Sequence, residues 1–511
     1  MTTETEKKRS TARWALLYGV LFGLAYSQGA LFCSNQNTKF ISGLALAGYG
    51  DIAADWMARI TDPFPLFSHA LKWQYQLLGL YVGIHFPFFL IVGAYGILGV
   101  RLAKSLFEGS EDRQRALWVF SLLWLLIHIV VLRNLWSNVF PEGLAGQYML
   151  GDYYQPCCFG VLLLAGIAAY RSGRILPAAA CFMIAPLFHP AYLISSALIA
   201  AALTILPANR GLGIGRGKRI LFLFLVGMAV GAYGLYNFHT LTSGDPVIRD
   251  TAHKLMAETR IPQHALPSEW KFNRTVLFFM AGCAAAWLGR KRLVGQLLFV
   301  LVPVVAATAL WAVVAYNPTV AVAAPWRVSV FLAPLSWMLL LSAPATWIAR
   351  STRERLVLPI SAGVKKWLVL AGICACLGGV LHLGFDYMRK THNKEFMLTR
   401  FLAGYHVSGN QYLVPPDQTH IRLEAGVPVF ATWKSHPTKD GEFLEWYGRI
   451  EIARIIYEGQ SGQAQESLKA VLGSHAVTHV IWPQSKGAFP FSKMGKQVFV
   501  DSHFSLWDMR I

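Results

Sequence analysis

The residues of this chain best placed to do chemistry begin with two carboxylates. Asp51 and Asp55 are followed by Arg59, so the three recur at i, i+4 and i+8. Ile52, Trp56, Met57 and Ile60 recur at helical spacing on the opposite side. Gly48, Gly50 and Asp51 open the pattern, and Asp62-Pro63 and Pro65 close it. An amphipathic helix lying at a membrane surface is expected, with its carboxylates pointing one way. A carboxylate so placed can serve as a general base or as a metal ligand, and Asp51 is the first candidate. Asp51 can equally be the N-cap of that helix, and Asp55 can equally pair with Arg59.

A second group has the chemistry of anion binding. Phe188-His189-Pro190 joins two apolar runs with almost no loop, which holds His189 at a membrane boundary as a donor or acid toward a phosphate or sugar. The segment ETRIPQHALPSEW carries Arg260 and His264, a guanidinium with a nearby imidazole, suited to a lipid phosphate. Arg327 follows Ala324-Pro325-Trp326 at the outer start of a long apolar run, where snorkelling to the inner surface does not explain it. Arg133, Gln147, Asp152, Tyr154 and Gln155, in the loop of about 133–156, are of types that line sugar sites. Each has a plain alternative: local backbone bonding for His189, a solvated loop around Arg260 and His264, a membrane anchor at Arg327.

The elements that must position these groups are membrane helices. The chain has 511 residues, 55% of them hydrophobic and 14% charged, with mean hydropathy +0.42. Soluble chains carry about a quarter charged residues, so too few are present to coat a soluble particle. Barrel strands alternate in polarity, whereas the apolar runs here are continuous. After a basic N-terminus the first run is Trp14 to Cys33. No A-x-A cleavage site follows, and Phe32 is too large for a lipobox, so an uncleaved helix with its N-terminus inside is expected. Further runs fall near 77–100, 116–134, 157–170, 175–188, 191–207, 220–238, 275–289, 293–316, 328–348 and 367–386. At roughly 20 apolar residues per span, this gives an all-α polytopic membrane protein of about eleven helices. The short pair 157–170 and 175–188 suits helices lining a cavity within the protein.

Net charge is +19. Arg171, Arg174, Arg216, Lys218, Arg219, Arg290, Lys291 and Arg292 fall in the alternate loops that become cytoplasmic if the N-terminus is inside. The bias is therefore topological and gives no reason to invoke nucleic acid. An odd number of spans puts the C-terminus outside. None of the seven cysteines lies beyond Cys376, so no disulfide is expected in the C-terminal region, and small buried thiols are the simplest reading.

Composition changes after Asp386. The transmembrane part is read as 1–386, with a long first outer loop at 34–76, and 387–511 as a small extracytoplasmic α/β domain. VPVFAT (427–432) and VTHVIW (477–482) read as strands, and Glu445 to Tyr457 and Gln463 to Leu472 as helices. The polar and aromatic segments 432–437 and 445–449 suit either an acceptor surface or ordinary packing. GLGIGRGKR is not a phosphate-binding P-loop, because Leu212 and Arg219 stand where the motif requires Gly and Ser or Thr. HExxH, CxxC and GxSxG are absent.

The basic N-terminus, first span, long outer loop with an acidic residue, string of spans and outer soluble domain resemble the GT-C class of membrane glycosyltransferases. The chain is also similar to a group of uncharacterised bacterial integral membrane proteins. The matching residues are Asn35-Gln36-Asn37-Thr38, Gly50-Asp51 to Asp62-Pro63, Gly146-Gln147, His189-Pro190, Arg260-Ile261-Pro262 with His264, and Glu445-Trp446-Tyr447 with Arg449. The GT-C resemblance implies transfer of a sugar from a polyprenyl-phosphate-linked donor to an envelope glycan, lipid or protein acceptor. The reaction would run at the outer face of the bacterial inner membrane, among membrane lipids.

On that resemblance Asp51 acts as base or metal ligand, with Asp55 as second choice. His189, Arg260, His264, Arg327 and Gln147 are the substrate and lipid-phosphate candidates. A divalent cation, Mg or Mn, is admitted, but the first outer loop has no Asp-x-Asp or Glu-x-Asp pair and no metal ligands are assigned. Trp56, Trp136 and Trp326 fall at expected interfaces. Three alternatives stay open: a polymerase or ligase of lipid-linked glycans worked by Arg260 and His264, a transporter, and a non-catalytic envelope scaffold.

Overall fold

The computed structural model describes residues 4–26, 28–129, 132–133, 143–355, 362–474 and 476–510, most of them helical. Helices stand on the apolar runs: Glu4–Ala25, Pro65–Ala103, Arg113–Leu126, Val161–Arg171, Ile175–Phe188, Leu193–Ile205, Arg216–Leu241, Phe272–Leu288, Leu293–Val314, Ser329–Arg355 and Ala362–Thr391. Five segments of the described residues are long and apolar enough to cross a membrane: Pro65–Phe107, Arg216–Leu241, Leu293–Val314, Pro318–Ser351 and Leu370–Thr391. Ala12–Ala25, Pro156–Arg171, Ile175–Phe188, Pro190–Ile205 and Phe272–Leu288 are shorter apolar helices. The fold is all-α and polytopic, with a small C-terminal sheet.

The chain divides into two compact units that do not follow chain order. Unit one is Met1–Gln28, His85–Tyr236 and His253–Gly384; unit two is Gly29–Ile84, Asn237–Ala252 and Phe385–Ile511. The segment Pro65–Ala103 contributes to both, and its helix is broken at Gly79, which takes φ 73° and ψ 177°. That conformation is open to glycine and strained for other residues.

In unit one, helices approach closely where side chains are missing. A Cβ on Gly93 would lie 2.7 Å from the Gly19 carbonyl oxygen. Small residues of this kind let membrane helices pack backbone to backbone. Phe22, Phe88, Phe120, Trp124, Leu164, Phe182, Leu298 and Phe331 are fully buried around such contacts.

Unit two carries a four-stranded sheet in the order β1-β2-β4-β3. The strands are β1 (Tyr412–Leu413), β2 (His479–Pro483), β3 (Lys496–Val500) and β4 (Phe504–Asp508). β1 is parallel to β2, and β4 pairs antiparallel with both β2 and β3, placing Ile481 opposite Leu506. Every residue of β2 is buried, as its continuous apolar pattern requires. Leu398, Leu402, Tyr412, Val427, Val429, Ile481, Phe504 and Leu506 form the core.

The expected helices extend to Asp440–Glu458 and Ser461–Ser474. The expected strand at 427–432 is corrected: only Val429 bridges, to Tyr412, and the segment is otherwise irregular. It leaves a left-handed turn at Gly426 (φ 68°) and includes Pro428, which has no N–H to give a ladder.

Candidate functional site

Residues 51–60 do not form the amphipathic helix that their spacing suggests. A 3-10 turn at Ile52–Ala54 and a short helix at Trp56–Arg59 flank an extended Asp55 (φ −68°, ψ 138°). Asp55 is the cap, accepting from Met57 N at 2.7 Å, and the Asp51 side chain makes no capping bond.

Asp55 is wholly buried. Its Oδ2 accepts from Arg422 Nε and from Val429 N, each at 2.7 Å. Arg422 is equally buried and also donates to the Val429 carbonyl at 3.3 Å and Thr432 Oγ1 at 3.4 Å. The partner of Asp55 is thus Arg422 rather than Arg59, whose guanidinium meets the carbonyls of Ala53 and Ala54. This geometry gives Asp55 an architectural task and closes it to solvent.

Asp51 is held differently. Gly50 (φ 55°) and Gly426 (φ 68°) meet backbone to backbone, and a Cβ on Gly50 would lie 2.3 Å from the Gly426 oxygen. Only glycine fits that approach, and it brings Asp51 N to Gly426 O at 2.8 Å. Asp51 Oδ2 lies 3.1 Å from His406 Nε2, and His406 Nδ1 lies 3.2 Å from the hydroxyl of the buried Tyr412. The Asp51 side chain remains a quarter exposed, and its Oδ1 makes no hydrogen bond among the described residues.

The Asn35–Thr38 stretch is knitted into the same unit. Asn37 Nδ2 donates to Phe32 O at 2.8 Å, Thr38 Oγ1 donates to Lys434 O, and Ser435 Oγ donates to Asn37 O. Trp446 is fully buried with Nε1 on Thr432 O, Arg449 pairs with Glu445 at 2.8 Å, and Arg449 lies over Trp56 at 4.3 Å. The segments 432–437 and 445–449 therefore show the packing expected of a domain interior, and Trp56 sits beneath a cation.

Unit one gathers the anion-binding candidates around irregular turns. Leu144–Gly146 contains Ala145 at φ 59°, and Pro325–Val328 starts from Ala324 at φ 47°. Left-handed alanines cost of order 1–3 kcal/mol each and point to a functional constraint where they cluster. Leu144 N donates to Ser329 Oγ at 2.9 Å, tying one turn to the other. His264 Nδ1 donates to Ala145 O at 2.7 Å, so its ring is fixed against the first turn. The Pro190–Tyr192 turn packs against Pro325–Val328, and the His189 ring lies 5.0 Å from that of Tyr192. Tyr192 is buried and donates to Cys157 O at 2.6 Å.

Gln147 and Arg327 are among the side chains here that lack hydrogen-bond partners among the described residues. Gln147 is 4% exposed, and neither amide atom has a partner among the described residues. The guanidinium of Arg327 makes no hydrogen bond or ion pair among the described residues, and its Nε is shielded from solvent. Its polar surroundings are Tyr192, Cys157 and Tyr148. Arg260 is buried on a short π-helix at Met256–Arg260, and burial pushes its guanidinium down to about 10. Arg133, by contrast, is ion-paired to Asp152 and lies over the Tyr26 ring at 4.7 Å.

Trp326 is fully buried against Trp270, ring centroids 5.1 Å apart, which corrects its assignment to an interface belt. Trp136 lies outside the described residues. No group of three or more His, Cys, Asp or Glu able to hold a metal ion occurs among the described residues. Sequence reasoning missed His406, Arg422 and Gly426 in unit two and Tyr192 and Ser329 in unit one. No local spacing marks them, because their partners lie far away in the chain.

Residues 407–453 match a domain family of unknown function, DUF6798. No curated protein matches the chain. Among solved structures, the chain is similar to ArnT from Cupriavidus metallidurans bound to undecaprenyl phosphate, at TM-score 0.42 and 12% identity over 99% of this chain and 98% of that one. The apo state of the same ArnT gives TM-score 0.42 and 11% identity over 98% of each chain.

Proposed function

We propose that this chain is a GT-C-type glycosyltransferase of the bacterial inner membrane. It takes a sugar from a polyprenyl-phosphate-linked donor and passes it to a hydroxyl of an envelope glycan, lipid or protein at the outer face. The N-terminus is cytoplasmic and the C-terminal region extracytoplasmic. The observation that carries the reading is the presence of a guanidinium, Arg327, and an amide, Gln147, each without a hydrogen-bond partner among the described residues, near turns of an apolar helical unit that Leu144 N and Ser329 Oγ tie together. A half-buried cation without an anion loses solvation that nothing repays, and a buried amide without partners costs about 1–3 kcal/mol. A phosphate supplies what each lacks, accepting charge-assisted bonds from the arginine and an N–H from the glutamine. Arg260, His264 and His189 are the further donors of that unit.

The acceptor oxygen bonds to the anomeric carbon while the bond from that carbon to the phosphate oxygen breaks. The electron pair leaves with the polyprenyl phosphate, whose growing charge the guanidinium stabilises. The acceptor proton goes to a general base, a role worth about 10²–10⁴ in rate, for which Asp51 is the candidate on the geometry of its own unit.

The test is thermal unfolding of the purified protein with undecaprenyl phosphate as probe and phosphatidylglycerol as control. At a hundredfold excess over Kd, selective binding stabilises by about 2.7 kcal/mol. Stabilisation by undecaprenyl phosphate in wild type, lost in Arg327→Gln, supports the reading. An equal shift in Arg327→Gln, or none in wild type, removes it.

A further inference from the structure

We infer that His406 is the positioning residue of Asp51, so that the C-terminal region holds the base of the reaction. The inference rests on the glycosyltransferase reading above and adds to it a residue that neither the family match nor the sequence pattern marks. Three observations converge. His406 Nε2 meets Asp51 Oδ2 at 3.1 Å, His406 Nδ1 meets the Tyr412 hydroxyl at 3.2 Å, and Asp51 N is bonded to Gly426 O at 2.8 Å. The backbone and one carboxylate oxygen are thus gripped by the segment from His406 to Gly426, while Oδ1 makes no bond among the described residues.

The network assigns the proton. Tyr412 is buried, and desolvation pushes its hydroxyl up to about 12, so it remains a donor and gives its proton to His406 Nδ1. With Nδ1 accepting, Nε2 carries the ring N–H that is donated to Asp51 Oδ2. With Oδ2 already accepting from His406, Oδ1 is the oxygen left without a donor among the described residues and the one assigned the acceptor's proton. The bond to His406 restrains the carboxylate about χ2, and the Asp51 N–Gly426 O bond holds its backbone. His406 neither gains nor loses a proton in the step; Asp51 ends as the neutral acid until the proton returns to water. A misplacement near 1 Å can cost about 100-fold in rate, which is the scale expected on losing this grip.

The experiment uses the full-length protein in nanodiscs with a panel of undecaprenyl-phosphate monosaccharides, reading release of undecaprenyl phosphate. Asp51→Asn, His406→Ala, His406→Gln and Tyr412→Phe are compared, with melting temperature as the folding control. His406→Ala is expected to lower kcat by about 10–100-fold with KM changed less than about twofold. His406→Gln keeps an N–H within reach of Oδ2 and should recover part of that loss, as should added imidazole in His406→Ala. Tyr412→Phe should fall between wild type and His406→Ala, and carries the test alone if His406→Ala does not fold. An inactive Asp51→Asn beside a His406→Ala with wild-type kcat would overturn the positioning role while leaving the base in place. Equal turnover in wild type and Asp51→Asn, or none in wild type, would overturn the glycosyltransferase reading and this inference with it.

Discussion

The pair Asp55 and Arg422 in one unit and the side chains of Gln147 and Arg327 in the other are treated in opposite ways. In the unit of Gly29–Ile84, Asn237–Ala252 and Phe385–Ile511, Asp55 and Arg422 have no exposure, and both Asp55 oxygens are bonded. In the other unit, Gln147 is just as hidden and Arg327 partly so, yet neither side chain has a hydrogen-bond partner among the described residues. Saturated bonding is what a fold requires of charges it keeps for itself. Unsatisfied bonding is what a binding site keeps for its ligand. Asp51 stands between these cases, with one oxygen held and one not.

The largest effect is expected at that intermediate residue. Asp51→Asn should lower turnover by about 10²–10⁴-fold with little change in melting temperature. A steady-state assay beside a thermal melt checks it, and a large loss of stability would move Asp51 into the class of Asp55.

Next comes the buried pair. Arg422→Ala strands the Asp55 charge and should cost about 3–5 kcal/mol, read as failed expression or a much lower melting temperature. A neutral result would mean that the pair is not a structural requirement of its unit.

Gln147→Leu inverts the expectation. It removes two unpartnered atoms, so the lipid-free protein should be unchanged or more stable by up to about 1–3 kcal/mol, while undecaprenyl phosphate binding weakens. Loss of stability without loss of binding would contradict the contrast between the units.

The smallest effect is on pH. Burial lowers His479 to about 4, with Asp508 opposing the shift and Arg510 and His406 adding to it. The folded state therefore resists a proton that the unfolded chain accepts below its ordinary value of about 6.5. This contribution to stability is complete above that value and is lost as pH falls toward 4. Asp508, held by Arg510, is lowered to about 2, so its contribution is present above its ordinary value and fades as pH falls from there toward 2. Melts of wild type and His479→Gln between pH 7 and 4 should converge at the acid end.

Much of the architecture could be read from the chain because membrane helices announce themselves by composition. The runs at 175–188 and 293–316 became helices Ile175–Phe188 and Leu293–Val314, and 445–457 and 463–472 grew by a few residues at their ends. The strand 477–482 was visible because both its faces are apolar, whereas β3, mostly exposed, has no such signature. Periodicity misled at 51–60, where the i, i+4 rhythm of Asp51, Asp55 and Arg59 comes from a turn and a short helix around a buried ion pair. The pair itself was illegible, since Asp55 and Arg422 are 367 residues apart. Arg327 and Gln147 were legible by type, but their lack of partners is a property of packing alone.

Native mass spectrometry of the purified wild type, Asp51→Asn and Arg327→Ala proteins tests sugar transfer from a polyprenyl phosphate most directly. The expected result is a polyprenyl phosphate on the wild type, its sugar-bearing form accumulated on Asp51→Asn, and neither on Arg327→Ala. Bulk phospholipid alone on all three proteins would contradict it.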